Sequence, residues 1–137
     1  MIVLDRDVLA KISGRDVDQG VLNHCRQYSR EEWTIPAIVA WESYKAVSER
    51  SQKRRVQRAL ADNFDRILDL TDDAGLEAAA LDESLSAQGV TLDTADLLNL
   101  AIAHEAGGTF VTHNANDFDT PPVHDLVDID VVTGDST

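Results

Sequence analysis

The stretch LDTADLLNLAIAHEAGGTFVT, residues 92–112, contains a complete helix followed by a strand. Asp93 stands where a helix N-cap is expected, and apolar residues follow at helical spacing. The residues predicted to face inward are Leu98, Ala101 and Ile102. Two glycines then end the helix, and TFVT is short and apolar enough for a buried strand. A helix joined by a tight turn to a buried strand is typical of α/β proteins.

The same alternation extends over the rest of the chain. The other predicted strands are Ile2–Leu4, Trp33–Ile35, Arg66–Leu70 and 127–133. The other predicted helices are Asp7–Gly14 with Asp7 as its cap, 16–28, a continuous 36–64, and 72–89 capped by Thr71; residues 113–122 are predicted to be a polar loop. Strands separated by helices imply a parallel sheet covered on both faces. We therefore predict a single α/β domain over residues 1–133, with a central parallel sheet flanked by helices on both faces and a frayed segment at 134–137.

The net charge is strongly negative, because 25 Asp and Glu stand against 12 Lys and Arg, a balance of −13. Such a surface repels nucleic acid and anionic membranes at ordinary ionic strength. The acids are spread along the whole chain, which favours adaptation to a salty cytoplasm over a preference for basic partners, since the Debye length falls to ~3 Å at 1 M salt. On this halophilic interpretation the net charge says little about the substrate.

Cysteine content and apolar runs bear on the compartment. Cys25 is the single cysteine and cannot form an internal disulfide, so we expect it to be a small apolar residue on a helix face in a reducing cytoplasm. We find no basic-then-apolar leader and no apolar run of ~18 residues, which predicts neither export nor membrane insertion.

Four acids from four separate segments stand where a parallel sheet would bring them together. Asp5 ends the first predicted strand, and Asp96 lies in the first turn of its helix. Asp117 follows the TFVT strand, and Glu42 lies on a helix face with apolar neighbours, where a carboxylate needs a partner. Because ligands gather at the carboxyl ends of parallel strands, these acids form a candidate site for Mg²⁺ or Mn²⁺.

Each acid also has a purely structural interpretation. Asp96 can complete a capping arrangement with Asp93, and Asp117 can be an ordinary turn residue. Glu42 can be a solvated helix residue. Asp7 is interpreted as a helix cap in preference to a metal ligand. Only the combined pattern favours a site.

That pattern resembles a known family. MIVLDRDVL at residues 1–9, IPAIVAWES at 35–43 and ADLLNLAIAHEAGGTFVTHNANDF at 95–118 are similar in order and spacing to the PIN-domain ribonucleases, most closely the VapC-type toxins of toxin–antitoxin pairs. The resemblance covers nearly the whole chain and implies a PIN-like fold. Its strongest element is the last of the three segments.

The resemblance implies an acidic core of Asp5, Glu42 and Asp96. The fourth acid of the family falls either at Asn114 or at Asp117, so here Asn114 would supply a neutral oxygen and Asp117 the charge. The implied catalytic residues are Asp5, Glu42, Asp96 and Asp117, of which Asp5, Asp96 and Asp117 are the implied metal ligands. The implied supporting residues are Asp7, Asp93, Thr112 and Asn114. A departure occurs at Arg6, where the family usually has Thr or Ser; this cation can weaken metal binding or bind a substrate phosphate.

The implied chemistry is metal-assisted hydrolysis of an RNA phosphodiester, in which two divalent ions ~3.5–4 Å apart activate water and stabilise the leaving oxygen. The resemblance also implies a cognate antitoxin that covers the acidic cleft and a homodimer. A basic cluster offers candidate phosphate contacts, although such runs are commonly solvated helix faces. Its members are Arg50, Lys53, Arg54, Arg55 and Arg58.

Two rival functions remain open on the sequence. MIVLDRDV also resembles the start of a haloacid-dehalogenase-type phosphatase, in which the first aspartate of Asp-x-Asp is the nucleophile. That family requires a later lysine, whereas no lysine follows Lys53. The other rival is a PIN-like module that binds without turnover, for which Arg6 and Asn114 are the arguments.

Overall fold

A computed structural model of the protein describes residues 1–133. The predicted fraying of residues 134–137 lies outside the described residues. The strands are β1 (Ile2–Leu4), β2 (Trp33–Pro36), β3 (Arg66–Leu68), β4 (Thr109–Thr112) and β5 (Ile129–Val131). The helices are α1 (Arg6–Ile12), α2 (Gln19–Cys25), α3 (Ala37–Lys45), α4 (Arg50–Asn63), α5 (Asp72–Ser86), α6 (Thr94–Glu105), α7 (Ala115–Phe118) and α8 (Pro121–Leu126), and a short 3₁₀ turn, Arg26–Tyr28, follows α2.

The five strands form one sheet in the order β3-β2-β1-β4-β5, and every neighbouring pair is parallel. β1 is therefore central, with Val3 opposite Thr34 on one side and opposite Phe110 on the other. The carboxyl ends of all five strands lie at one edge of the sheet. This arrangement confirms the predicted single α/β domain with a central parallel sheet.

Helices cover both faces of the sheet, as predicted. Successive strand residues point to opposite faces, so Val3 and Phe110 pack with residues of α5, α6 and α8. Ile2, Leu4 and Val111 pack on the other face with residues of the first four helices. Cys25 belongs to this second layer and is buried, as its apolar surroundings predicted.

The turn from α6 into β4 is as tight as its two glycines predict. Gly107 has a φ of +77°, a backbone conformation that residues other than glycine rarely adopt. A Cβ atom at Gly108 would lie 2.7 Å from the Val3 Cγ2 atom. The two glycines therefore let β4 start directly beside β1.

The predicted continuous helix over residues 36–64 is wrong, because the structure has two helices, α3 and α4, separated by residues 46–49. Cationic side chains satisfy carbonyl groups at the end of α3. The Lys53 ammonium donates to the carbonyl oxygens of Tyr44, at 2.8 Å, and Val47. The Arg6 guanidinium donates to the Glu42 carbonyl at 3.2 Å. Cations at a helix C-terminus also interact favourably with the helix dipole.

Two further local predictions need correction. The N-cap of α1 is Asp5, not Asp7, because β1 ends at Leu4 and the Asp5 side chain accepts from the Arg6 backbone N–H. The predicted polar loop at 113–122 holds the four-residue helix α7 and the start of α8. Among residues 1–133 no helix is long and apolar enough to span a membrane.

Candidate active site

Asp5 is the most deeply buried acid at the carboxyl edge of the sheet, with 6% of its surface exposed. One carboxylate oxygen accepts from the Arg6 backbone N–H at 2.8 Å. The other accepts from the Thr112 hydroxyl at 2.8 Å. Thr112, predicted to support the site, therefore fixes the Asp5 carboxylate from the neighbouring strand β4.

Burial and neighbouring charge act together on Asp5. Burial first, then the negative charge of Asp7, raise the pKa of Asp5 from 3.8 to about 7, and the Asp96 charge adds to the rise. The hydrogen bonds from Thr112 and from the Arg6 backbone oppose it. The carboxylate thus lies where its negative charge is costly and where a cation would stabilise it.

Asp96 lies in the first turn of α6 and is half-buried. Burial, followed by the negative charges of Asp117, Asp93 and Glu42, raises the pKa of Asp96 to about 6. Each of these three acids therefore lies close enough to Asp96 for its charge to act on the Asp96 carboxylate. Asp117 and Glu42 thus lie near Asp96, and the shared site of these acids stays a prediction.

Asp117 lies in α7 and is paired with Asn114. The Asn114 amide donates to the Asp117 carboxylate at 2.7 Å, and the Asn114 side-chain oxygen accepts from the Asp117 backbone N–H at 3.3 Å. The Asn114 N–H in turn donates to the Thr112 hydroxyl at 3.1 Å. Asn114 therefore caps α7 and orients Asp117, while Thr112 connects this loop to Asp5.

Glu42 lies in α3 and faces α6. Its carboxylate accepts from the Asn99 side-chain amide at 3.4 Å, and its backbone carbonyl accepts from Arg6. Asn99 does not figure in the sequence prediction, because it lies within an otherwise apolar helix run. No sequence signal marks it, because its burial and its contact with Glu42 are set by the packed fold.

The two supporting aspartates have distinct positions. The Asp7 carboxylate accepts from the His113 backbone N–H at 3.2 Å, so Asp7 connects α1 to the segment after β4. Asp93 is the N-cap residue of α6, as predicted, but its side chain makes no capping hydrogen bond among the described residues. The negative charge of each raises the pKa of a neighbouring core acid.

The basic cluster divides into two groups. Arg50, Lys53 and Arg54 line a pocket of about 370 Å³ together with Tyr44 and Gln57. Lys53 also donates to two backbone carbonyls at the end of α3, which occupies two of its three N–H donors. The other two members, Arg55 and Arg58, are exposed on α4.

Whether a metal ion fits the site depends on the donor atoms that its side chains offer. Among residues 1–133, no three His, Cys, Asp or Glu side chains are close enough to enclose a metal ion as they are placed. The donor set is nevertheless made of oxygen atoms, the ligands that Mg²⁺ and Mn²⁺ prefer. Within the same residues, no ion pair involves Asp5, Glu42, Asp96 or Asp117. A divalent cation would supply the missing positive charge.

Solved structures with the same fold include a toxin–antitoxin complex. VapBC2 from Rickettsia felis, solved with a DNA fragment from its promoter, has a chain 18% identical with a TM-score of 0.73, over 96% of this chain and 98% of that one. FitAcB from Neisseria gonorrhoeae matches at 19% identity and a TM-score of 0.74, over 94% and 96% of the two chains. A toxin–antitoxin complex from Klebsiella pneumoniae matches at 21% and 0.68, over 90% and 94%.

The family of the chain is shown by its sequence. No curated protein matches it. The model of the PIN domain family matches residues 2–122, a range that includes Asp5, Glu42, Asp96 and Asp117. This match confirms the resemblance and excludes the haloacid-dehalogenase interpretation of the opening motif. The chain belongs to the PIN domain family.

Proposed function

We propose that the protein is a divalent-metal-dependent endoribonuclease and the toxin of a toxin–antitoxin pair. PIN domains are generally nucleases, and they typically use divalent metal ions. The observation that carries the proposal is the pair Asp5 and Asp96, buried or half-buried carboxylates with raised pKa values and no ion-pair partner among the described residues. Perturbed carboxylates gathered in this way are typical of functional sites.

The residues of the chain have distinct roles in this proposal. Asp5, Asp96 and Asp117 would hold Mg²⁺ or Mn²⁺, which supplies a lowered pKa for bound water and neutralises charge on the phosphate. Thr112 fixes the Asp5 carboxylate, and Asn114 orients Asp117. Glu42 completes the shell or orients the attacking water.

RNA phosphates would be held by the exposed arginines near the end of α3. Arg50 and Arg54 line the pocket beside Tyr44, and neither forms an ion pair within the described residues. Such contacts position a nucleic acid without reading its sequence. Arg6 donates to the Glu42 carbonyl and does not neutralise the acids, which weakens the argument from Arg6 for a module without turnover.

The proposal is tested by RNA cleavage with purified protein in low and high salt, with Mg²⁺ or Mn²⁺ against EDTA. We compare wild type with Asp5→Asn and Asp96→Asn. Asp82→Asn removes one negative charge from an exposed position on α5 and is the matched control. Metal-dependent cleavage that is lost in both site variants but kept in the control supports the proposal. Cleavage that survives both substitutions, or wild type inactive under every condition, overturns it.

An antitoxin partner is supported by the kind of complexes in which the structural neighbours were solved. The chain also has an apolar groove of about 650 Å³ between α1 and α4, where Leu9, Ile12 and Val56 are among the lining residues. We propose that an antitoxin segment packs an apolar face here and extends basic side chains toward the acids. If a small reading frame lies beside the gene, co-expression with its product should yield a stable complex whose cleavage activity is inhibited. The homodimer stays a prediction, which sedimentation can check.

A further inference from the structure

Asn99 is a buried polar residue in the middle of α6. Only 1% of its surface is exposed, and the residues that follow it, Leu100 to Ala103, belong to the apolar core. Asp96 precedes it by three positions, so the two side chains project from the same face of the helix. Asn99 thus lies beneath the acidic site and not on the solvent side of α6.

The hydrogen bonds of Asn99 are incomplete. Its side-chain N–H donates to the Glu42 carboxylate at 3.4 Å. Its Oδ1 atom is buried and accepts no hydrogen bond from any described residue. In the reverse orientation of the amide, this oxygen would face the Glu42 carboxylate. An ionised carboxylate can only accept hydrogen bonds, so the two groups could not form one. The N–H group must therefore face Glu42, which leaves the oxygen without a donor among residues 1–133.

A buried polar residue with a structural role normally forms the hydrogen bonds its groups require. Thr34 is such a residue, since it is fully buried in β2 and its hydroxyl donates to the Ile2 carbonyl at 2.9 Å. Asn99 occupies a position where an apolar side chain would bury the same surface without an unsatisfied oxygen. The feature that distinguishes asparagine from leucine at this position is its contact with Glu42.

We propose that Asn99 is a positioning residue that holds the Glu42 carboxylate toward the acidic site. The inference rests on the proposed nuclease function and extends it to a residue outside the four acids. The length of the contact suits this role, because hydrogen bonds of catalytic groups are often long before ligand binds. The partners that orient a metal-binding group commonly change metal affinity or activity by about 10–100-fold when they are removed.

The test combines metal binding, activity and stability in three variants. Asn99→Leu removes both amide atoms at similar volume, and Asn99→Ala covers the case in which leucine does not fit. Thr34→Val is the matched control, because it also removes a buried polar group but lies away from the acids. Free Mn²⁺ is followed by its electron paramagnetic resonance signal, RNA cleavage by gel, and unfolding by thermal denaturation with and without Mn²⁺.

We expect Asn99→Leu to bind Mn²⁺ about tenfold more weakly and to cleave RNA correspondingly more slowly. Its thermal unfolding midpoint without metal should equal or exceed that of wild type. If the role of Asn99 were purely structural, that midpoint would be lower than that of wild type. Thr34→Val should keep wild-type Mn²⁺ affinity. Wild-type Mn²⁺ affinity in both folded Asn99 variants would overturn the positioning role alone. Absence of Mn²⁺ binding and cleavage in wild type would overturn the proposed function and, with it, this inference.

Discussion

Asp96 and Asp130 are both partly buried carboxylates near the carboxyl ends of strands, yet their surroundings differ completely. Asp130, in β5, accepts hydrogen bonds from the Tyr28 hydroxyl and from His24, at 2.7 Å. Asp96 is surrounded by further acids, whose charges raise its pKa. Burial and the hydrogen bond to Asp130 also raise the pKa of Tyr28, which keeps this donor protonated. Within residues 1–133, the carboxylate with a structural role has hydrogen-bond donors, whereas the carboxylates at the candidate active site have no cationic partner.

Among the substitutions that test this contrast, the one at Asp117 is expected to have the largest effect. Asp117→Asn should lower RNA cleavage at least about a hundredfold, because it removes a charge from the proposed metal site. It should also lower the pKa of Asp96, since the Asp117 charge is the main contribution after burial. Asn114→Ala should cost less, because Asn114 only orients Asp117. If Asn114→Ala is the more damaging change, the neutral oxygen and not the Asp117 carboxylate is the fourth donor.

The second effect concerns the pH dependence of stability in metal-free protein. The pKa of Asp5 is raised from 3.8 to about 7 in the folded state, so folding takes up a proton between these values. The contribution to stability is therefore largest at low pH and falls as the pH rises toward 7. Asp5→Asn should remove this fall and stabilise the metal-free protein at pH 7 by on the order of 2 kcal/mol. Urea denaturation at pH 5 and pH 7 measures it; a variant less stable than wild type at pH 7 would contradict the assignment.

The third effect is expected at Asp130, the carboxylate that accepts hydrogen bonds from Tyr28 and His24. Asp130→Asn should lower the free energy of unfolding by about 1–2 kcal/mol, because it weakens the hydrogen bonds from Tyr28 and His24 that connect β5 to the first helices. Its RNA cleavage at a temperature where it is folded should match that of wild type. Loss of cleavage in folded Asp130→Asn would break the contrast between the two kinds of carboxylate.

The smallest effect separates two cations of one basic cluster. Arg54→Gln should weaken RNA binding about two- to threefold and reduce its salt dependence, since one phosphate contact is lost. Lys53→Gln should instead destabilise the fold by about 0.5–1 kcal/mol, because Lys53 holds carbonyls at the end of α3. Filter binding at several salt concentrations and thermal denaturation distinguish the two. If Arg54→Gln and Lys53→Gln change RNA binding by the same amount and stability by the same amount, the cluster acts as one surface.

The sheet and the acids could be predicted from the sequence because both depend on periodic or local signals. Short apolar runs mark the strands, and parallel strands bring the residues that follow them to one edge. Asp5 was predicted in this way, and Asp96 from its place in the first turn of a predicted helix. The metal-ligand roles of the acids remain predictions.

The errors have a common physical cause, which is dependence on distant partners. The break between α3 and α4 is accompanied by contacts from Lys53 and Arg6, which lie on other helices. Asp7 has the sequence features of a cap, but its carboxylate is taken by the backbone N–H of His113. Asn99 looks like one polar residue in an apolar run, and only the approach of Glu42 gives it a role. Contacts of this kind are set by the packed fold and leave no periodic signal.

The strand order also governs when the candidate active site can appear during synthesis of the chain. The central strand β1 is made first, but its neighbour β4 begins more than one hundred residues later, at Thr109. Thr112, which fixes the Asp5 carboxylate, and Asp117 follow later still. Because such distant pairing forms late in folding, a nascent chain lacks a complete acidic site until nearly the whole described domain has left the ribosome. Translation itself thus delays the moment at which the proposed nuclease could begin to act.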